Sequence, residues 1–155
     1  MRGLGRLTSL EILDVPGITG YFDTNYIGKA QYALQALDDG YDFVLVHVES
    51  TDEAGHMGDA MLKIKAIEDV DRLVVGTLLD GLKKRDEPFA ILITPDHPTS
   101  TAKRTHIADP VPCALYATGG KRDAVTAYTE SAVRASSTQF DPGFTLMRHF
   151  LSQGK

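Results

Sequence analysis

Two short stretches of this chain gather carboxylate and imidazole side chains where apolar runs end. Asp52 and His56 lie in Glu49-Ser50-Thr51-Asp52-Glu53-Ala54-Gly55-His56, directly after the apolar run Tyr41 to Val48. Asp96 and His97 lie in Thr94-Pro95-Asp96-His97-Pro98-Thr99, directly after Phe89 to Thr94, and His106 follows. An Asp and a His four residues apart share one face of a helical turn, so an oxygen and an imidazole nitrogen can converge on one cation. Carboxylate and imidazole without thiolate suit zinc or manganese, and such sites are more often catalytic than structural. Cys113 is the chain's single cysteine, so no thiolate cage can form. Taken singly, each pattern is more often a solvated surface pair. Their combination, with four of the five histidines between His47 and His106, points to divalent metal.

The elements that must present these residues can be read around them. Tyr41 to Val48 is β-branched and aromatic, as in a strand buried on both faces of a parallel sheet, and His47 on it reads as a packed or hydrogen-bonded residue. Phe89 to Thr94 reads as a second strand, ended by Pro95, and Val111 to Tyr116 as a third, with Cys113 a buried, inert thiol. Ligands in open α/β sheets bind beyond the carboxyl ends of strands, which is where both Asp-His sets fall. Tyr26, Ile27, Ala30, Ala33, Leu34 and Leu37 predict a helix capped by Thr24 or Asp23 and stopped at Gly40, with Tyr26 and Tyr32 in the core. Asp59 to Leu82 reads as one long helix with Ile64, Ile67, Val70, Val74, Leu78 and Leu82 buried and Lys63 among its polar positions. Leu10 to Val15 alternates loosely enough for a strand. Asp141-Pro142 opens a last helix that buries Leu146, Met147, Phe150 and Leu151. Thr99, Ser100 and Thr101 read as loop-solvating hydroxyls, and Lys103 and Arg104 either steer an anion or simply face water.

Bulk properties narrow the class. The 155 residues, 43% hydrophobic and 24% charged, are one domain's worth of soluble protein. A net charge of -5 argues against non-specific nucleic-acid binding. No apolar run reaches the ~20 residues of a membrane helix, and with one cysteine the expected compartment is the cytoplasm.

The run His47-Val48-Glu49-Ser50-Thr51-Asp52-Glu53-Ala54-Gly55-His56-Met57-Gly58-Asp59, then Thr94-Pro95-Asp96-His97, then His106 with Asp109-Pro110-Val111-Pro112, resembles the cofactor-independent (2,3-bisphosphoglycerate-independent) phosphoglycerate mutases. The likeness is to their archaeal-type branch, within the alkaline phosphatase superfamily. Arg2-Gly3-Leu4-Gly5-Arg6-Leu7, Val15-Pro16-Gly17-Ile18-Thr19-Gly20-Tyr21 and Asp23-Thr24-Asn25-Tyr26 are similar to it as well. The resemblance covers nearly the whole chain but only the C-terminal part of such an enzyme. It implies an α/β fold, a mostly parallel sheet flanked by helices, with residues 1–155 a partial alkaline-phosphatase-like core. The inserted substrate domain and the N-terminal segment with the nucleophilic serine would lie outside it.

The resemblance further implies two divalent ions, manganese or zinc with magnesium or cobalt possible. Asp52, His56 and His106 would hold one. Asp96 and His97 would hold the other, together with an Asp and the nucleophilic Ser upstream. Arg6 is the candidate for the substrate's phosphoryl group, because a guanidinium fork matches phosphate geometry. The implied reaction interconverts 3-phosphoglycerate and 2-phosphoglycerate through a phosphoserine, in glycolysis or gluconeogenesis. This polypeptide is expected to be inactive by itself, its partner being the missing N-terminal part. Two other readings compete: part of another metal-dependent phosphomonoesterase of the superfamily, and a non-catalytic metal-binding domain.

Overall fold

The chain opens with a helix that its composition hides. In the computed structural model, which describes residues 1–134 and 136–153, α1 (Arg2–Leu7) contains two glycines and buries none of its residues. Residues 135, 154 and 155 of the expected 1–155 domain therefore lie outside the described residues. Among the described residues Leu10 to Val15 forms no strand, although Val15 is buried. Two compact units make up the chain, Met1–Arg85 with Thr99–Thr105 and Asp86–Pro98 with His106–Lys155.

The first unit is helical. α2 (Tyr26–Asp38) is capped by Asn25, whose side chain accepts from the Gly28 amide at 2.8 Å while its amide group donates to the Pro16 carbonyl at 3.0 Å. The expected caps lie elsewhere, because Thr24 is buried with its hydroxyl accepting from the Thr19 amide and Asp23 accepts from the Thr19 hydroxyl. Gly40, at φ 98, ends the helix as expected. α3 (Ser50–Met57) carries the first Asp-His set and closes on Gly58 at φ 74. The long helix is there too, but its register shifts midway: α4 (Ala60–Asp69) passes through a π-helical segment (Val70–Val75) into α5 (Gly76–Leu82). Asp59 caps α4 through the Leu62 amide at 2.9 Å.

Tyr26, Ala30 and Val74 form the buried centre, with Val46, Val48, Val70, Leu73 and Leu78 packed against them. Alanines 30, 33 and 36 on α2 are buried, and side chains this small let neighbouring elements approach the helix closely. Tyr32, expected in the core, is 41% exposed, and Ile64 and Ile67 on α4 are also exposed. The π-helical segment inserts an extra residue into the turn, so the expected stripe keeps only its second part: Val74 and Leu82 are buried and Val70 and Leu78 pack on the core, while Ile64 and Ile67 before the segment do not.

In the second unit β1 (Ala90–Ile93) pairs with β4 (Ala114–Ala117), and the pairing is antiparallel with Ile91 opposite Tyr116. β2 (Thr99–Ser100), which belongs to the first unit, pairs with β3 (Thr105–His106) in a separate two-stranded ribbon. The α/β class holds, but the strands are short and parallel pairing is not found among the described residues. Tyr41 to Val48 forms no strand among the described residues; Val46 and Val48 pack against the Tyr26, Ala30 and Val74 centre while Tyr41 and Leu45 are exposed, so its apolar character marks partial packing rather than a place in a ladder. The Phe89 and Tyr116 rings pack at 5.2 Å, and the Tyr128 hydroxyl donates to the Pro112 and Ile93 carbonyls at 3.2 and 3.4 Å. α6 (Glu130–Val133) is a single turn, and α7 (Thr145–Leu151) starts three residues beyond the expected Pro142. It buries no residue, with Met147 and Leu151 exposed.

Candidate functional site

Ser50 opens α3 fully buried and accepts a hydrogen bond from the Tyr26 hydroxyl at 2.7 Å, so the helix start is anchored to the core of the first unit. From there one helical turn brings Asp52 and His56 together as their spacing predicts, with Asp52 Oδ2 3.2 Å from His56 Nε2. The other edge of each side chain is held by the segment around β2. Thr99 donates its hydroxyl to Asp52 Oδ1. His56 Nδ1 lies 3.1 Å from the Arg104 carbonyl oxygen. A carbonyl can only accept, so a hydrogen bond here requires the proton on Nδ1, the tautomer that leaves the Nε2 lone pair for an ion shared with the carboxylate.

This geometry fits a metal. Two ligands each ~2.0–2.1 Å from a tetrahedral ion lie about 3.3 Å apart, close to the separation of Asp52 Oδ2 and His56 Nε2. A histidine whose distal nitrogen donates to a backbone carbonyl is the usual form of a metal ligand. Both side chains are half-buried, and Asp52 sits in the first turn of α3, where the helix dipole favours an anion.

The second set belongs to the second unit. Asp96 and His97 follow β1 on a turn in which Asp96 Oδ1 accepts from the His97 amide at 3.1 Å and Oδ2 lies 3.5 Å from His97 Nε2. His97 also packs its ring on that of His106, with centroids 3.7 Å apart and planes tilted 32°. The Ile107 amide closes the chain onto the Pro98 carbonyl at 3.0 Å, which places His106 alongside His97. Adjacent in sequence, Asp96 and His97 would point apart on a strand; the turn beyond β1 lets them face each other.

Other expected residues fall differently. Arg6 is exposed on α1. His47 is half-buried with its ring 3.4 Å from Glu49, and its carbonyl accepts from the Lys29 ammonium at 2.9 Å. Burial pushes the Lys29 amine below its ordinary range, partly offset by Glu49. Cys113 is half-buried, and burial raises its thiol as expected of an inert one. No residue pattern marks Thr99, Lys63 or Arg104 as supports. Thr99 is 5% exposed, not a solvating hydroxyl, and its carbonyl accepts from Lys63, a residue read as helix surface.

A family model described as the metalloenzyme superfamily matches residues 4–141. The 2,3-bisphosphoglycerate-independent phosphoglycerate mutase 2 of Methanothermobacter thermautotrophicus is 52% identical over 137 residues, 88% of this chain and 33% of that protein. A probable 2,3-bisphosphoglycerate-independent phosphoglycerate mutase of Geobacter sulfurreducens is 43% identical, over 99% of this chain and 38% of its own length. Among solved structures, the PH0037 protein from Pyrococcus horikoshii matches with a TM-score of 0.77 at 34% identity, covering 86% of this chain and 39% of that one. The chain thus spans 33% to 38% of the length of these curated relatives.

Proposed function

This chain belongs to the metalloenzyme superfamily, and on that premise we propose that it is the metal-binding, C-terminal part of a 2,3-bisphosphoglycerate-independent phosphoglycerate mutase. The observation that carries the reading is the α3 pair, a carboxylate oxygen and an imidazole Nε2 3.2 Å apart, with Nδ1 of the same ring facing the Arg104 carbonyl. In this reading Asp52, His56 and His106 hold one divalent ion, and Asp96 and His97 hold a second together with an Asp and the nucleophilic Ser from residues outside this sequence. Manganese or zinc suits the oxygen and nitrogen donors best, with magnesium or cobalt as substitutes. Two such ions, when bound, neutralise the transferring phosphoryl group and activate the hydroxyl that attacks it.

The chain's own residues bind and orient. Asp52 offers Oδ2 while Thr99 occupies Oδ1, and His56 offers Nε2 while the Arg104 carbonyl accepts a hydrogen bond from Nδ1. His97 and His106, assigned to different ions, lie ring against ring, which suits ligands of two metals about 3.5–4 Å apart. Exposed Arg6 is the candidate to grip the anionic phosphoglycerate. A glycolytic or gluconeogenic enzyme of this kind works in the cytoplasm, and among the described residues no helix is long and apolar enough to cross a membrane.

Calorimetric titration of the chain with manganese tests the ligand set. A tighter site is expected that disappears in Asp52→Ala and in His106→Ala. Unchanged binding in both variants would remove these residues from the metal.

A further inference from the structure

The turn joining β2 to β3 touches α3 at both ends, and each contact falls on a different proposed ligand. At one end Thr99, buried, donates its hydroxyl to Asp52 Oδ1 and lays its methyl group over Gly55. Its carbonyl is in turn held by the Lys63 ammonium of α4. At the other end Arg104 adopts φ 54, in the left-handed region that non-glycine residues rarely enter. Such a conformation costs on the order of 1–3 kcal/mol and persists only where the surroundings impose it. Here the surroundings are visible: the Arg104 side chain lies over Gly58, so closely that a Cβ there would come within 2.5 Å of Nε. The carbonyl of that residue is the one His56 Nδ1 addresses.

We propose that the 99–104 turn is the positioning element of the α3 ligand pair, with Thr99 and the Arg104 main chain as its two contact points. Thr99 decides which oxygen of Asp52 is presented to a divalent cation. The Arg104 carbonyl decides which imidazole nitrogen is. Without the hydroxyl, the Asp52 carboxylate can rotate, and the order gained before binding is lost. Partners of this kind typically set metal affinity by 10- to 100-fold. The inference rests on the metal reading above and goes beyond it in naming residues that never touch the ion.

Manganese titration of the full chain, with circular dichroism to confirm folding, tests it. Thr99→Val keeps the shape but not the donor and is expected to weaken binding by about 10- to 100-fold, whereas Thr99→Ser keeps the hydroxyl and should stay near wild type. Equal affinity in wild type and Thr99→Val overturns the proposal, as does an equal loss in Thr99→Ser and Thr99→Val. A second measurement needs no metal: nitrogen-15 spectra of the wild-type chain at about pH 8 should show a proton on His56 Nδ1, the nitrogen that faces the Arg104 carbonyl, and none on Nε2. Finding the proton on Nε2 overturns the Arg104 contact. If wild type binds no manganese, the ligand reading fails, yet the tautomer still decides whether the turn positions His56.

Discussion

How closely the Thr99 turn can approach α3 is set by Gly55. A Cβ on this residue would stand 2.7 Å from Thr99 Cγ2 and 2.8 Å from the Thr99 carbonyl oxygen. The methyl group could swing aside, but the carbonyl belongs to the main chain and is pinned by Lys63. Gly55→Ala therefore sets a gain in helix propensity of up to ~1 kcal/mol against an overpacking cost of about 1–3 kcal/mol. The cost wins, so the urea midpoint should fall and manganese binding should weaken as Thr99 is pushed from Asp52. A more stable variant with intact binding would show that the turn is free to move. The residue scale also marks what a sequence exposes. Asp52, His56, Asp96, His97 and His106 could be proposed as ligands from the sequence because the chemistry they offer lies in side-chain type and spacing. Arg104 and Thr99 could not, since a carbonyl has the same letter everywhere and a threonine's role here depends on which helix lies against it.

Among the elements, α2 and the helix from Ala60 to Leu82 form where the apolar spacing places them, while the π-helical segment left no trace in it. The run Tyr41 to Val48 shows the limit of reading strands from apolarity, because burial and ladder pairing select the same residues. α7 shows the complementary error: its apolar spacing is regular, yet Met147 and Leu151 are exposed. β1 and β4 were visible as apolar runs, but the clamp on them was not. Tyr128 donates to the Ile93 and Pro112 carbonyls, and burial pushes its phenol from 10.0 up to about 12. Cys113 and Glu130 add to this rise. The folded state favours the neutral phenol, so this stabilisation is fully present below pH 10 and is lost as pH climbs through about 12. Thermal melts of wild type and Tyr128→Phe should differ most below pH 10 and converge toward pH 12. A constant gap across that window would mean that the phenol ionises as easily in the fold as in a free chain.

For the whole molecule, metal binding and catalysis should come apart. The relatives named as mutases are about three times as long as the stretch they share with this chain, and the proposed nucleophile comes from residues outside this sequence. The Asp52 and His56 pair, by contrast, has its supports from Tyr26, Lys63, Thr99 and Arg104 within one unit. The chain loaded with manganese should therefore bind the metal yet leave 3-phosphoglycerate unconverted, as phosphorus-31 spectra of the mixture would report. Conversion to 2-phosphoglycerate would require a nucleophilic hydroxyl among these residues. Thr99 is a poor candidate, being 5% exposed and committed to Asp52, so half-buried Ser100 would be the one to remove. Activity that vanished in Ser100→Ala while manganese still bound would move the nucleophile into this chain and overturn the division of labour proposed for it. Inactivity with intact binding leaves that division standing, because the ligands are then competent without the group they serve.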